Sequence, residues 1–222
     1  MNPKDHALAF AGVRAMRDEL LAYPKPGLVS PIDSGAHTDM DFALMCRSAD
    51  SLLQPFTALA AAGRAGRSFE HALMPIGIEA ERGMLAVTGG VNTHRGAIFS
   101  VGLVVAAIAR TQALSAELSP AAIRAALRDS WGASLEAHAD RDGETSHGAE
   151  VRRRTGRDGA RREAALAFPS IFETALPAFR AARQAGLDAR TAGIQTLFAL
   201  MSSIDDTTVL YRGGLEGGSF VR

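Results

Sequence analysis

Residues 88–109 read TGGVNTHRGAIFSVGLVVAAIA and are the most informative stretch of the sequence. Its second part, residues 97–109, is a nearly unbroken apolar run. The run is too short to span a bilayer, because a spanning helix needs roughly 20 apolar residues. Arg95 and Arg110 bracket it. The pattern therefore predicts a buried helix in a protein core.

The first part, residues 88–96, gathers polar groups where this helix begins. Unpaired N–H groups and the positive end of the helix dipole favour an anion at such a position. The stretch therefore suits a polyphosphate. An alternative stays open, in which Gly89 and Gly90 end one helix while Asn92 or Thr93 caps the next, with no ligand involved.

The rest of the chain also has helical periodicity, without the sustained alternation of β-branched residues that a sheet requires. We predict a first helix from Asn2-Pro3 to Pro24, and a second from a capping box at Thr38-x-x-Asp41 to Phe56, kinked near its end by Pro55. A third begins near Ser68 and reaches about Val87. Further helices are predicted at about 96–113, 120–135, 160–168, 170–185 and 189–204. The expected fold is all-α, a single-domain multi-helix bundle with active-site loops, of which residues 138–159 form a long loop or lid.

Composition excludes several classes of function. The 24 basic and 24 acidic residues give a formal net charge of zero, so neither nucleic acid nor a membrane is expected as a partner. Cys46 is the single cysteine, which excludes an intramolecular disulfide and a thiolate zinc cluster. We expect a reducing, cytoplasmic setting. Residues 1–20 lack the apolar segment of a signal peptide, and none is expected.

Two loops carry further candidate residues. Lys25 lies between Pro24 and Pro26, which restrict the backbone and present the ammonium rigidly, as suits a phosphate. The alternative is a surface lysine in a Pro-rich turn. Acidic residues and a histidine crowd around the next helix start, where capping explains one or two of them. They are Asp33, His37, Asp39 and Asp41.

Other acidic residues suggest a cation. Asp205 and Asp206 end a helix and so oppose its dipole, a cost that bound Mg²⁺ would offset; a solvated acidic turn is the alternative. Glu81 either reaches the 88–96 turn or is solvated. His147, Arg161 and Glu163 lie around another loop-to-helix junction. The chain contains no Walker A, Rossmann or H-E-x-x-H pattern.

In chain order, six segments resemble the triphosphoribosyl-dephospho-CoA synthase family. The match runs in order from about residue 19 to 214, and the combination is highly specific even though each segment alone is weak. The segments are PKPGLV (24–29), GAHTDMD (35–41), TGGVNTHRG (88–96), HG (147–148), GARREA (159–164) and DTTVLYRGG (206–214).

The resemblance implies an all-α enzyme that uses ATP as a substrate. It transfers the 5-triphosphoribosyl group to the 2′-hydroxyl of 3′-dephospho-CoA and releases adenine. The product is the precursor of the prosthetic group of citrate lyase or malonate decarboxylase. An α-linked product from β-linked ATP implies a single inverting displacement.

The resemblance also implies roles for the candidate residues. The triphosphate and the rest of the substrates would be held by Lys25, Asn92, Thr93, His94, Arg95, His147, Arg161, Glu163 and Arg212. Mg²⁺ would be bound by Glu81, Asp205 and Asp206. The base would be one of His37, Asp39 and Asp41.

Two departures from the family are expected to matter. The family commonly has lysine where this chain has Arg95, which keeps the charge and changes its geometry. The family also usually continues beyond Gly214 with a Ser-Pro-Gly-Gly-type motif, so the predicted domain, residues 1–222, lacks that C-terminal element.

Alternative functions therefore stay open. One is transfer of ribosyl triphosphate to another hydroxyl or to water, and another is a noncatalytic nucleotide-binding helical module. A homodimer is a further possibility for an Ala-rich helical protein.

Overall fold

The computed structural model describes residues 2–114, 117–140 and 159–203, and within these ranges the chain forms helices and loops without a strand. The all-α prediction is confirmed. The helices are α1 (Pro3–Leu21), α2 (Phe42–Ser51), α3 (Leu53–Arg64), α4 (Met74–Val87), α5 (Arg95–Ala113), α6 (Pro120–Ala139), α7 (Ala160–Ala165), α8 (Leu176–Gln184) and α9 (Ala189–Ser203).

The chain divides into two compact units, Met1–Ser130 and Trp131–Arg222. In the first unit, α3 packs against both α1 and α5. In the second, α9 packs against α8 and the π-helical segment that precedes α8. The prediction that residues 1–222 form one domain stays a prediction.

Small residues allow α3 and α5 to cross closely. A Cβ atom built on Gly63 would lie 2.3 Å from the carbonyl oxygen of Ala106, so only glycine fits there. Ala60 and Ala109 are fully buried at the same interface and pack with Val105. The crossing therefore places backbone against backbone, and the apolar run of α5 forms the centre of the first unit.

The prediction of a core helix after the 88–96 turn is confirmed. By length and composition alone, Arg95–Ala113 would also be long and apolar enough to cross a membrane. In the structure, however, it packs against α1, α3 and α4. Buried core helices pass the same test of length and hydropathy, so its apolar character is explained by its position.

A buried ion pair connects three helices of the first unit. Asp5 on α1 is 3% exposed, and its Oδ1 accepts a hydrogen bond from Nε of Arg64 on α3 at 2.7 Å. The same guanidinium donates to Oε1 of Gln112 on α5 at 3.1 Å. Since both charged groups are largely removed from water, each depends on the other for solvation.

Two π-helical segments precede prolines at the starts of helices. Phe69–Leu73 comes directly before α4, whose second residue is Pro75, and Ser170–Ala175 comes directly before α8, whose second residue is Pro177. Proline has no N–H to donate, and its ring collides with the carbonyl four residues earlier. A widened turn before the proline accommodates both effects.

The prediction for the second helix was wrong in two respects. Residues 38–56 were expected to form one helix capped at Thr38, but α2 begins at Phe42, where Oδ1 of Asp41 accepts from the backbone N–H of Leu44 at 2.7 Å. Pro55 lies in the first turn of α3, where an N–H has no partner in the helix, so it begins a helix instead of ending one.

The remaining helix predictions are confirmed to within a few residues. Ser68 caps the third predicted helix, since its Oγ accepts from the N–H of His71 at 3.3 Å. Residues 141–158, which cover most of the predicted lid, lie outside the described residues.

Candidate functional site

The turn between α4 and α5 is built by two glycines with positive φ. Gly89 and Gly90 have φ values of 65° and 92°, and the N–H of Gly90 donates to the carbonyl of Leu85 at 2.8 Å. This arrangement ends α4 in the way that glycine favours. Oδ1 of Asn92 then accepts from the N–H of Arg95 at 3.3 Å. Both capping roles considered from the sequence are therefore present in the structure.

Beneath this turn, Ser48 on α2 joins two of the predicted binding residues. Its Oγ lies 2.6 Å from Oγ1 of Thr93 and 2.7 Å from Nδ1 of His94. Thr93 in turn donates to Sδ of Met84 on α4 at 3.1 Å. Ser48 is fully buried, and its hydroxyl connects α2, α4 and the start of α5.

Burial sets the protonation state of His94. His94 is 7% exposed, and its removal from water lowers the pKa of His94 from 6.5 to about 4. The charged form is disfavoured because the imidazolium would lose its hydration on burial. His94 is consequently neutral at physiological pH.

Arg95 and Glu81, which were assigned to phosphate and metal respectively, bind each other. Nε of Arg95 donates to Oε1 of Glu81 at 2.7 Å, and a second guanidinium nitrogen donates to the same oxygen. The Arg95 side chain is 53% exposed. The carboxylate therefore orients a guanidinium that still faces solvent at the N-terminus of α5.

Lys25 is buried against the end of α1. Its Nζ donates to the carbonyl of Glu19 at 2.7 Å and to Oε1 of Glu19 at 2.6 Å. A cation at this position is favoured by the negative end of the helix dipole and satisfies a terminal carbonyl. The structure thus shows a stabilising role for Lys25, and contact with the triphosphate stays a prediction.

The loop before α2 is closed by glycine. A Cβ on Gly35, whose φ is 57°, would lie 2.5 Å from the backbone carbon of Gly27, so no larger residue fits. Just after this contact, Nδ1 of His37 lies 3.8 Å from Oδ1 of Asp39. Asp41 is engaged as the cap of α2. Of the three candidate bases, His37 and Asp39 are therefore the neighbouring pair.

In the second unit, Glu163 has a structural contact. Its Oε2 accepts from Oγ of Ser170 at 2.6 Å and from the Ser170 N–H at 3.2 Å, which stabilises the start of the π-helical segment before α8. Arg161, two residues earlier on α7, is half-buried. The roles of both in binding substrate stay predictions. His147, Asp205, Asp206 and Arg212 lie outside the described residues.

The described residues do not supply a metal site by themselves. Within residues 2–114, 117–140 and 159–203, no three His, Cys, Asp or Glu side chains are grouped closely enough to hold an ion. The carboxylate of Glu81 is already bound by Arg95. The Mg²⁺ prediction therefore depends on Asp205 and Asp206.

An open groove of about 820 Å³ lies elsewhere in the first unit. It is lined by the end of α3 and by Arg67, Ser68 and His71, and none of the predicted site residues that the structure describes is in its lining. We therefore do not assign this groove to the candidate site. The turn between α4 and α5, where several of the predicted residues meet, is the candidate site.

Sequence reasoning missed Ser48 and Glu19. Ser48 lies within Arg47-Ser48-Ala49-Asp50, which reads as a polar helix surface, and nothing local indicates that the hydroxyl is buried beside a histidine 46 residues away. Glu19 lies only six residues before Lys25, so an ion pair between the two could have been predicted from their proximity in sequence.

Comparison with protein families gives one match that covers nearly the whole chain. Residues 5–222 match the family described as ATP:dephospho-CoA triphosphoribosyl transferase. No solved structure gives a significant match.

Several curated relatives carry the name probable 2-(5″-triphosphoribosyl)-3′-dephosphocoenzyme-A synthase. The relative from Stutzerimonas stutzeri (strain A1501) is 44% identical over 95% of this chain and 72% of its own length. The one from Azotobacter vinelandii (strain DJ / ATCC BAA-1303) is 43% identical over 92% of this chain and 70% of its own length. The relative from Acinetobacter calcoaceticus is 37% identical over 96% of this chain and 75% of its own length.

Proposed function

Because this chain belongs to the ATP:dephospho-CoA triphosphoribosyl transferase family, we propose that it transfers the 5-triphosphoribosyl group of ATP to the 2′-hydroxyl of 3′-dephospho-CoA. The bond between C1′ of the ATP ribose and N9 of adenine breaks, and a bond from C1′ to the 2′-oxygen forms. The proton of the hydroxyl leaves with adenine, directly or through a base. The observation that carries the proposal is the family match over residues 5–222.

The turn between α4 and α5 is the proposed contact for the triphosphate. The first backbone N–H groups of α5 and the exposed guanidinium of Arg95, the first residue of α5, both offer positive charge at the start of this helix. Glu81 orients that guanidinium. Because the triphosphate stays intact in this reaction, fixed donors that hold it without attacking it suit the chemistry.

We propose His37 or Asp39 as the base, since these two side chains are neighbours and Asp41 is engaged as a helix cap. In an inverting displacement, the base removes the proton of the acceptor hydroxyl as C1′ is attacked. Arg161 and Arg212 are the further cations proposed for the triphosphate. Mg²⁺ is proposed to shield the same phosphates, with Asp205 and Asp206 as its ligands.

A cytoplasmic location and a homodimer also belong to the proposal. The single cysteine is what supports a reducing compartment. Transfer of ribosyl triphosphate to another hydroxyl or to water is the alternative function that the sequence leaves open.

The deciding experiment is incubation of the chain with ATP, Mg²⁺ and 3′-dephospho-CoA, with free adenine measured by chromatography. We expect adenine release that requires dephospho-CoA. Release without dephospho-CoA would instead indicate water or another acceptor. Binding of ATP with no release under any condition would contradict the transferase proposal and leave a noncatalytic nucleotide-binding protein.

A further inference from the structure

Four side chains form a continuous hydrogen-bonded row beneath the turn between α4 and α5. The row runs from Nδ1 of His94 to Oγ of Ser48 at 2.7 Å, then to Oγ1 of Thr93 at 2.6 Å, and then to Sδ of Met84 at 3.1 Å. Each hydroxyl has one proton to donate, whereas the thioether sulfur has none. The end of the row at Met84 therefore sets the direction of every bond in it.

The direction follows by counting protons from the sulfur. Thr93 must be the donor to Met84, so its oxygen accepts the proton of Ser48. Ser48, having donated to Thr93, accepts from His94, and the proton of the imidazole is then on Nδ1. The other ring nitrogen, Nε2, then carries a lone pair, and the hydrogen bond that the His94 ring makes among the described residues is the one at Nδ1.

From this row we propose that Ser48 is a positioning residue that holds His94 as the Nδ1–H tautomer, so that Nε2 accepts a hydrogen bond from a hydroxyl or amino group of the bound nucleotide. The proposal rests on the proposed function for the nucleotide itself. It changes the role of His94, which the sequence suggested as one of the groups that hold the triphosphate.

The reason is that the ionised oxygens of a triphosphate only accept hydrogen bonds, as does an unprotonated Nε2. The two cannot bond to each other. Burial also disfavours the charged imidazolium, which would donate from both nitrogens. A ribose hydroxyl or the exocyclic amine of adenine does carry a proton to donate. His94 therefore binds the nucleoside part of the nucleotide, while Arg95, the next residue, contacts phosphate.

The tautomer can be measured directly in the unmodified chain. Long-range proton–nitrogen NMR spectra of protein labelled at histidine nitrogens distinguish the protonated from the unprotonated ring nitrogen. The His94 signals are assigned by their loss in His94→Asn. We expect a protonated Nδ1 and an unprotonated Nε2 at pH 7. A protonated Nε2 would overturn the proposal.

Ser48→Ala tests whether the serine is responsible. With its acceptor removed, Nδ1–H loses its partner, and we expect a mixture of the two tautomers and a lower kcat/KM. The matched control is Ser51→Ala on the same helix, because its Oγ donates to the backbone carbonyl of Ser48 and lies outside the row. An unchanged tautomer in Ser48→Ala would show that the serine only fills space. If Ser48→Ala does not fold, the spectrum of the unmodified chain still decides the tautomer.

The ligand is tested by comparing ATP with inorganic triphosphate. His94→Asn keeps an amide near the Nδ1 position and removes Nε2. We expect it to weaken ATP binding about tenfold, as the loss of one hydrogen bond does, and to leave the affinity for inorganic triphosphate unchanged. Equal losses for both ligands would overturn the nucleoside contact. If the unmodified chain binds no ATP at all, both the proposed function and the proposed contact between His94 and the nucleotide are wrong. The NMR spectrum still decides the role of Ser48 in that case.

Discussion

At the scale of single residues, the turn between α4 and α5 shows how burial and pairing change what a side chain can do. His94 carries no charge because it has been removed from water, and Arg95, its neighbour in the chain, keeps its charge at the surface. Two adjacent residues in one motif thus offer opposite hydrogen-bonding chemistry.

The depressed pKa of His94 predicts how stability depends on pH. Its folded pKa, about 4, lies below the ordinary value of 6.5, so between these pH values the unfolded chain binds a proton that the folded chain does not. His94 therefore leaves the free energy of unfolding undiminished above about pH 6.5. As the pH falls toward 4, its titration lowers the free energy of unfolding by at most about 3 kcal/mol.

Urea unfolding at several pH values measures this effect. His94→Asn, which cannot titrate, is expected to lose less stability than the unmodified chain between pH 6.5 and 4. Parallel pH profiles for the two proteins would show that His94 is not held neutral by the fold.

Arg95→Ala tests the proposed triphosphate contact. Removal of one charge-assisted interaction with the triphosphate is expected to reduce kcat/KM by about tenfold to a hundredfold while the helical circular dichroism is unchanged. Arg82→Ala is the control, because Arg82 is also an arginine paired with a glutamate, but it lies on α4 and its pair with Glu79 is exposed. A fully active Arg95→Ala would place the triphosphate elsewhere.

At the scale of helices, the crossing of α3 and α5 is set by the smallest side chains. Gly63 lies against the backbone of Ala106, whereas Gly83, in the middle of α4, has open space around it. Both are helical glycines, so their intrinsic cost to the helix is similar and only the surroundings differ.

Alanine substitutions at these two glycines should have opposite effects. Gly63→Ala must push α3 and α5 apart and is expected to destabilise the fold by about 1–3 kcal/mol. Gly83→Ala is expected to stabilise it by about 0.5–1 kcal/mol, because alanine loses less backbone entropy in a helix. The midpoint of urea unfolding reports both. A change of stability in the same direction for both variants would contradict the close crossing of α3 and α5 at Gly63.

At the scale of the whole molecule, stability in the first unit depends on contacts between parts that are distant in sequence. Asp5 and Arg64 are separated by 59 residues, and Gln112 extends the same network by a further helix. This network holds α1, α3 and α5 at one point, whereas Arg17 and Asp50 form a half-exposed pair between α1 and α2.

The two ion pairs predict different costs. Asp5→Asn leaves Arg64 buried without a countercharge and is expected to lower the free energy of unfolding by about 3 kcal/mol or more. Asp50→Asn removes the exposed pair and should change it by less than about 1 kcal/mol. Chemical denaturation of both variants at the same pH measures the difference. Similar small losses for the two would show that the Asp5 carboxylate is solvated.

The features that the sequence predicted are those that depend on nearby residues. The helical period, the core helix after residue 96 and the cap at Ser68 each follow from side chains within a turn or two of one another. The error at residues 38–56 has the same origin, since Thr38 and Asp41 are both good caps and only the folded loop decides between them. The family was identified because short motifs occur in a particular order, which requires no structure.

Only the tertiary structure decided the partners of the candidate site residues. Sequence reasoning assigned Glu81 to a metal, Arg95 to phosphate and Lys25 to phosphate, yet Glu81 binds Arg95 and Lys25 binds Glu19. Ser48 reaches His94 across 46 residues because α2 and α4 pack together beneath the turn. The physical reason is that a charged or polar group takes the nearest group that satisfies it, and which group is nearest is known only after the helices have packed.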